Sequence, residues 1–212
     1  MTSDTLTVFE PRKTPVQTRA AVTVDAISEA TIQVLLSHGA DRLTTTRVAD
    51  RAGVSVGTLY QYYSNKQSLL FAVMEDHFEK VAAAVEAACE QACNKPLTEM
   101  IKQVVEVFVD AKTERADISV ALYQVSGEIG GPALVKKMTQ RMRRALDAML
   151  RTALDIESPP DGLAIDTMLA AMSGAMRSLL EGRPSPATVR RQREQLVLLC
   201  RSYMAAATAR VS

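Results

Sequence analysis

Apolar positions along this chain recur at the three-to-four-residue spacing of helices almost from end to end. Alternating runs bounded by Asn-Gly or Asp-Gly turns do not occur, so the reading is all-α. A first helix is predicted from about Val16 to Leu36, with Val24, Ile27, Thr31 and Val34 on one face. His38-Gly39 closes it, glycine taking a left-handed C-terminal position at little cost. Two short helices, Thr45–Ala52 and Val56–Tyr62, precede a long one, Lys66–Ala92, which Asn94-Lys95-Pro96 ends. Longer periodic segments follow over Leu97–Lys112 and Asp117–Ser126. Gly130-Gly131-Pro132 then launches a helix to Leu154, with proline at its first turn. The loop Ser158–Gly162 and the break Gly182-Arg183-Pro184 bracket the last two helices, Leu163–Leu180 and Pro186–Ala207. About nine helices result, in two parts: short helices up to residue 64 and a larger bundle over 65–212, preceded by a flexible arm over 1–15.

Composition supports a packed core, with 47% hydrophobic residues in 212, and leaves the net charge at +1. No stretch of about 18 apolar residues free of charge is seen, so no transmembrane helix is expected. The first fifteen residues carry Asp4, Glu10, Arg12 and Lys13 and lack the apolar core of a secretory signal. Three cysteines, an odd number, suggest free thiols in a reducing compartment, and the expected location is cytoplasmic.

The stretch from Thr44 to Tyr63 carries the functional signal. Thr44 and Ser55 are capping residues in front of the two short helices, and Gly53 permits the sharp turn between them. Val48, Ala49, Leu59 and Tyr63 fall on the inward side, and Val54 fills the angle between the helices. Val56, Thr58, Tyr60, Gln61 and Tyr62 are left outside, since helical period cannot bury all three tyrosines together. Two helices joined by so short a turn form the unit that places its second helix in the major groove of DNA. Thr45, Thr46, Thr58 and Tyr60 offer hydroxyls to phosphates, Gln61 an amide to adenine, and Val56 a methyl contact to thymine. Lys66 is placed to pair with a phosphate. Charge is modest: Arg42, Arg47, Arg51 and Lys66 stand against Asp41 and Asp50, with Arg12, Lys13 and Arg19 adding to it from the arm side.

Ala52-Gly53-Val54-Ser55-x-Gly57-Thr58-Leu59-Tyr60-x-Tyr62-Tyr63-x-x-Lys66-x-x-Leu69 resembles the signature of tetracycline-repressor-type (TetR) transcriptional regulators, over roughly Gln17 to Val81. The resemblance implies a homodimer on a palindromic double-stranded operator, a three-helix DNA-binding domain over 16–64, and a ligand-binding and dimerisation domain over 65–212. By position it assigns DNA contact to Thr45, Thr46, Val56, Gly57, Thr58, Tyr60, Gln61, Tyr62 and Lys66. Tyr62 stands where the family often has histidine, and Gln61 where an aromatic is common, so the operator sequence does not carry over. The expected function is a repressor released from its operator by a small molecule. Two reading helices of such a dimer should lie about 34–36 Å apart.

Outside that stretch the signals are weaker. Cys89 and Cys93 share a helix face without a third ligand and read as buried apolar residues. His38 and His77 are isolated, and surface or cap roles are expected of them. The bundle's methionines, Met100, Met138, Met142, Met149, Met168, Met172 and Met176, read as core able to border an adaptable pocket. Phe108, Tyr123 and Met142 are the candidate walls of that pocket for an unknown effector. Two apolar rows, Ile165, Met168, Met172, Ala175 and Leu179, then Val189, Leu196, Leu199 and Tyr203, together with the small residues Ala170, Ala171, Ser173 and Gly174, suggest a four-helix dimer interface. The basic run Lys136, Lys137, Arg141, Arg143, Arg144 and Arg151 reads as a solvated face. No catalytic constellation, metal set or cofactor motif has interpretable spacing, so no enzyme is expected. A helical small-molecule sensor with weak or lost DNA binding is the alternative reading, prompted by the modest charge.

Overall fold

The computed structural model describes residues 18–209, all in helices or the segments joining them. The expected arm over 1–15, with Arg12 and Lys13, the helix start at Val16 and the Arg19 side chain lie outside the described residues. The helices are α1 (Thr18–His38), α2 (Thr45–Ala52), α3 (Val56–Tyr62), α4 (Lys66–Ala92), α5 (Leu97–Glu114), α6 (Ala116–Val125), α7 (Gly131–Leu150), α8 (Gly162–Glu181) and α9 (Pro186–Thr208). The limits of α2, α3 and α4 are those the sequence predicts, because each is set by a local stop or cap. Asn65 caps α4 reciprocally: its side-chain oxygen accepts from Ser68 N (2.8 Å), and its own N–H donates to the Ser68 hydroxyl (3.2 Å). Helix α7 ends four residues before the predicted Leu154. Asn94 N–H donates to the Thr152 hydroxyl (2.9 Å) and Leu154 N–H to the Lys95 carbonyl (3.2 Å), contacts that draw the chain off the helical path.

Packing divides the chain into two compact units, the first holding residues up to Phe78 with Asp117–Lys136, the second holding Glu79–Ala116 with Lys137 onward. The sequence places its boundary after residue 64, within the first of these. In the first unit α2 packs on α1 and α3 on α2. Ile27, Thr31, Val34, Leu43, Val48, Ala49, Leu59 and Tyr63 are buried there. Val24 is only half-buried. His77 departs from its expected surface role: it is buried, with Nε2 2.8 Å from the Ser119 hydroxyl, 42 residues away. His38, by contrast, is exposed at the end of α1.

In the second unit α5 packs against α9 and α8, and α8 against α9. All seven bundle methionines are buried. Arg141 donates to Glu86 through Nε (3.0 Å) and Nη2 (2.6 Å) and also pairs with Glu79. Arg143 pairs with Asp166 and Arg151 with Asp147, both at 3.0 Å, so Arg141, Arg143 and Arg151 of the basic run are each balanced by carboxylates. Two helices, over Ala20–His38 and Gly162–Glu181, are long and apolar enough by length and composition to cross a membrane, a test that core helices also pass. Each keeps a buried stripe, Ile27, Ala30 and Val34 on one and Ile165, Met168, Met172 and Met176 on the other, and each serves as a core helix here.

Helix α5 buries the row Leu97, Met100, Ile101, Val104, Val105, Phe108, Val109 and Lys112. Lys112 is therefore a lysine on a core face, and burial of its ammonium pulls its pKa from 10.5 down to about 8. Between those two values the unfolded chain holds the proton more strongly than the folded one, so this residue makes stability rise with pH through that window. Lys112→Met should be more stable relative to wild type near neutral pH than at about pH 10.5. Urea unfolding of both proteins across this range checks it, and a difference independent of pH would mean that burial does not perturb Lys112.

Candidate nucleic-acid interface

Helices α2 and α3 are separated by only three residues, Gly53, Val54 and Ser55. Gly53 adopts the left-handed conformation (φ 67°), and its N–H and that of Val54 return to the carbonyls of Asp50 (3.3 Å) and Ala49 (3.0 Å). Both caps are made as the sequence predicts: the Thr44 hydroxyl accepts from Arg47 N (3.3 Å) and the Ser55 hydroxyl from Thr58 N (2.9 Å). Leu59 is fully buried and Tyr63 nearly so, anchoring α3 from its inner side. Burial and the nearby Asp25 and Asp76 carboxylates push the Tyr63 phenol up to about 12, so it stays neutral.

The outer face is what remains. Gly57, Tyr60 and Gln61 are exposed, Val56, Thr58 and Tyr62 half-buried. On α2, Thr46 is exposed and Thr45 half-buried. The Thr45 hydroxyl lies 3.2 Å from the Tyr60 hydroxyl, which brings the start of α2 and the middle of α3 together at one surface. Thr58 pairs with the Ser55 hydroxyl (2.8 Å). The surface thus presents hydroxyls, one side-chain amide, one aliphatic group and a helix edge without a Cβ at Gly57. Such groups hydrogen-bond to phosphates and to base edges.

The cations of the module also make contacts within it. Arg47 Nη1 donates to the Arg42 carbonyl (2.5 Å) and Arg51 Nε to the Gln33 side-chain oxygen (2.6 Å). Lys66, expected to face a phosphate, donates its Nζ proton to the Ala40 carbonyl (2.8 Å). Gln33 has no local sequence signal for this role, since its partner lies 18 positions away.

Of the pocket candidates, Phe108 and Met142 belong to the second unit and Tyr123 to the first. Phe108 and Met142 are buried and Tyr123 is half-buried. An open groove of about 600 Å³ in the second unit is lined by Glu86, Cys89, Glu90, Cys93, Arg141, Arg144, Ala145, Ala148 and Met149. Cys89 is buried and Cys93 half-buried, and burial with the neighbouring Cys93 and carboxylates pushes the Cys89 thiol up to about 12. Among the described residues, no cluster of three histidine, cysteine or carboxylate groups is placed to hold a metal ion.

Residues 27–73 match the family model described as "Bacterial regulatory proteins, tetR family", and residues 96–204, just over half of the chain, match "Tetracyclin repressor-like, C-terminal domain". The chain belongs to the TetR family. As a TetR-family member it is 36% identical over 60 residues to the HTH-type transcriptional repressor KstR of Mycolicibacterium smegmatis, a match spanning 28% of this chain and 29% of that repressor. Its fold is that of the fatty acid degradation regulator FadR from Bacillus halodurans (TM-score 0.65, 18% identity, 82% of this chain and 94% of that one). A TetR-family transcriptional regulator from Streptomyces coelicolor is similar in the same way (TM-score 0.65, 19% identity, 88% and 85% coverage). At these identities the two structures speak for the fold alone.

Gly53→Ala isolates the turn's contribution, because an added Cβ would meet nothing within 4 Å and only the left-handed backbone is penalised. A loss of about 1–2 kcal/mol is expected from denaturant unfolding. A neutral result would mean that the turn relaxes to a right-handed conformation.

Proposed function

We propose that this chain is a dimeric, DNA-binding transcriptional repressor acting in the cytoplasm, released from a palindromic operator by a small-molecule ligand. The observation that carries the reading is the α2–α3 pair: its caps, turn and anchors are all satisfied internally, and a row of polar side chains remains outside. Thr45, Thr46, Gly57, Thr58, Tyr60, Tyr62 and Lys66 form the phosphate-facing surface, and Gln61 and Val56 are the base-reading residues. The alternative, a helical sensor with weak or lost DNA binding, is favoured by one observation, that Arg47 and Arg51 are held within the module. Selection from a random DNA pool decides between them. An enriched inverted repeat is expected, and Gln61→Ala should relax one base position in each half-site by about 1–3 kcal/mol. Recovery of no sequence at low salt would support the sensor.

Dimerisation through α8 and α9 would use only part of the expected rows, with Leu199, Ala170 and Gly174 the members left exposed. Ile165, Met168, Met172 and Leu196 are buried within the chain, while Ala175, Leu179, Val189 and Tyr203 are half-buried. The apolar surface left over consists of Leu163, Leu198 and Leu199, 72%, 60% and 51% exposed, with Ala170 and Gly174 also exposed. A second copy covering these residues fits them, since large exposed leucines beside small residues allow close helix approach. Leu199→Glu should shift the protein to monomer in sedimentation analysis while leaving its helical content intact. A dimer of unchanged affinity would place the interface elsewhere. The ligand-binding role is placed in the second unit, with Phe108 and Met142 as its candidate residues.

A further inference from the structure

Lys66 is the first residue of α4, a position where a cation faces the positive end of the helix dipole. Its charge is answered by one carbonyl. The half-buried ammonium donates to Ala40 O at 2.8 Å, and the same oxygen accepts the Leu43 N–H at 3.2 Å. Leu43 itself is 1% exposed, so the α1–α2 loop is pinned at its apolar residue and at its carbonyl together. One residue later Thr44 caps α2, and Arg47 reaches back from α2 to the Arg42 carbonyl at 2.5 Å. The loop is therefore held by a cation from each side, Lys66 from α4 and Arg47 from α2. What it determines is where α2 begins, and with it Thr46 and the Thr45–Tyr60 contact at the outer face.

We propose that Lys66 is a positioning residue as well as a phosphate-contact candidate: its ammonium fixes the α1–α2 loop through the Ala40 carbonyl in the free protein and so sets the start of α2. Its consequence for DNA rests on the DNA-binding reading, whereas the tie itself exists in the free protein. A phosphate contact and a positioning contact differ in two measurable ways. A phosphate contact contributes to the salt dependence of binding and leaves the free loop alone. A positioning contact protects the loop without DNA and affects affinity at constant salt dependence.

The experiment uses the full chain with Lys66→Met, which keeps the stem and removes the donors, and Lys66→Arg, which can still reach a carbonyl. Hydrogen exchange of the Leu43 amide in the free protein should quicken about tenfold in the methionine variant, the scale of a lost charge-assisted hydrogen bond, and recover in the arginine variant. On DNA selected with the wild-type protein, Lys66→Met should bind about tenfold more weakly, and Lys66→Arg should recover affinity together with Leu43 protection. A slope of log affinity against log salt reduced by about 0.9 per lost contact, with Leu43 exchange unaltered, would overturn the proposal and leave Lys66 a phosphate contact only. If the wild-type protein selects no DNA, the DNA-binding reading fails by itself, and Leu43 exchange still decides whether the tie holds. Lys66→Gln, whose shorter side chain stops short of the carbonyl, takes the place of the methionine variant if that one does not fold.

Discussion

A helix of seven residues cannot maintain itself in water, and α3 is seven residues long. The cost of nucleating so short a segment exceeds what its few internal hydrogen bonds return. Its existence depends on the burial of Leu59, with Tyr63 buried just beyond its end, and on caps that satisfy the free ends. Fully burying a leucine side chain is worth about 1.5–3 kcal/mol, and an N-cap such as Ser55 about 1 kcal/mol. Those few kilocalories hold the outer face that the proposed function assigns to DNA. The remainder of the first unit is arranged around them: α2 supplies Val48 and Ala49, and α1 supplies Ile27 and Val34.

This dependence explains why the functional stretch was legible in the sequence and other parts were not. Capping residues, a left-handed glycine and the spacing of Val48, Ala49 and Leu59 all act within three or four positions, so the ends of α2 and α3 could be read from neighbours alone. Tertiary contacts leave no such trace. The end of α7 is set by Asn94 and Lys95, distant in sequence from Thr152 and Leu154. His77 is buried because Ser119, on another helix, offers it a partner. Arg47, Arg51 and Lys66 read as outward cations because charge is usually solvated, yet each finds an oxygen inside the module.

The last two helices illustrate a second limit. Periodicity identifies an apolar stripe but not what covers it. Helix α8 has one stripe through Ile165, Met168, Met172 and Met176, and Leu163, Ala170 and Gly174 lie outside that stripe, exposed. The more continuous stripe invites assignment to a partner, but continuity is the property of a core stripe, which must fill space without gaps. Two large exposed leucines on α9 and small residues on α8 make a less regular pattern. It is this broken pattern that the chain leaves uncovered.

The internal use of cations bears on how the first unit could select one DNA sequence among many. Sequence-independent affinity comes mainly from lysine and arginine releasing counterions from phosphates. A module whose Arg47, Arg51 and Lys66 are bound to its own carbonyl or amide oxygens has fewer cations to spend on that purpose. In the proposed complex, neutral donors, the hydroxyls of Thr45, Thr46 and Tyr60 and the backbone amides at the starts of α2 and α3, would then carry a larger share of the phosphate contact. Such contacts have strict geometry and little reach, so they form only when the reading helix is already seated. Discrimination depends on the ratio of specific to non-specific binding rather than on affinity alone. Drawing cations inward lowers the second of these more than the first, and in doing so ties the precision of the loop and caps directly to the choice of sequence.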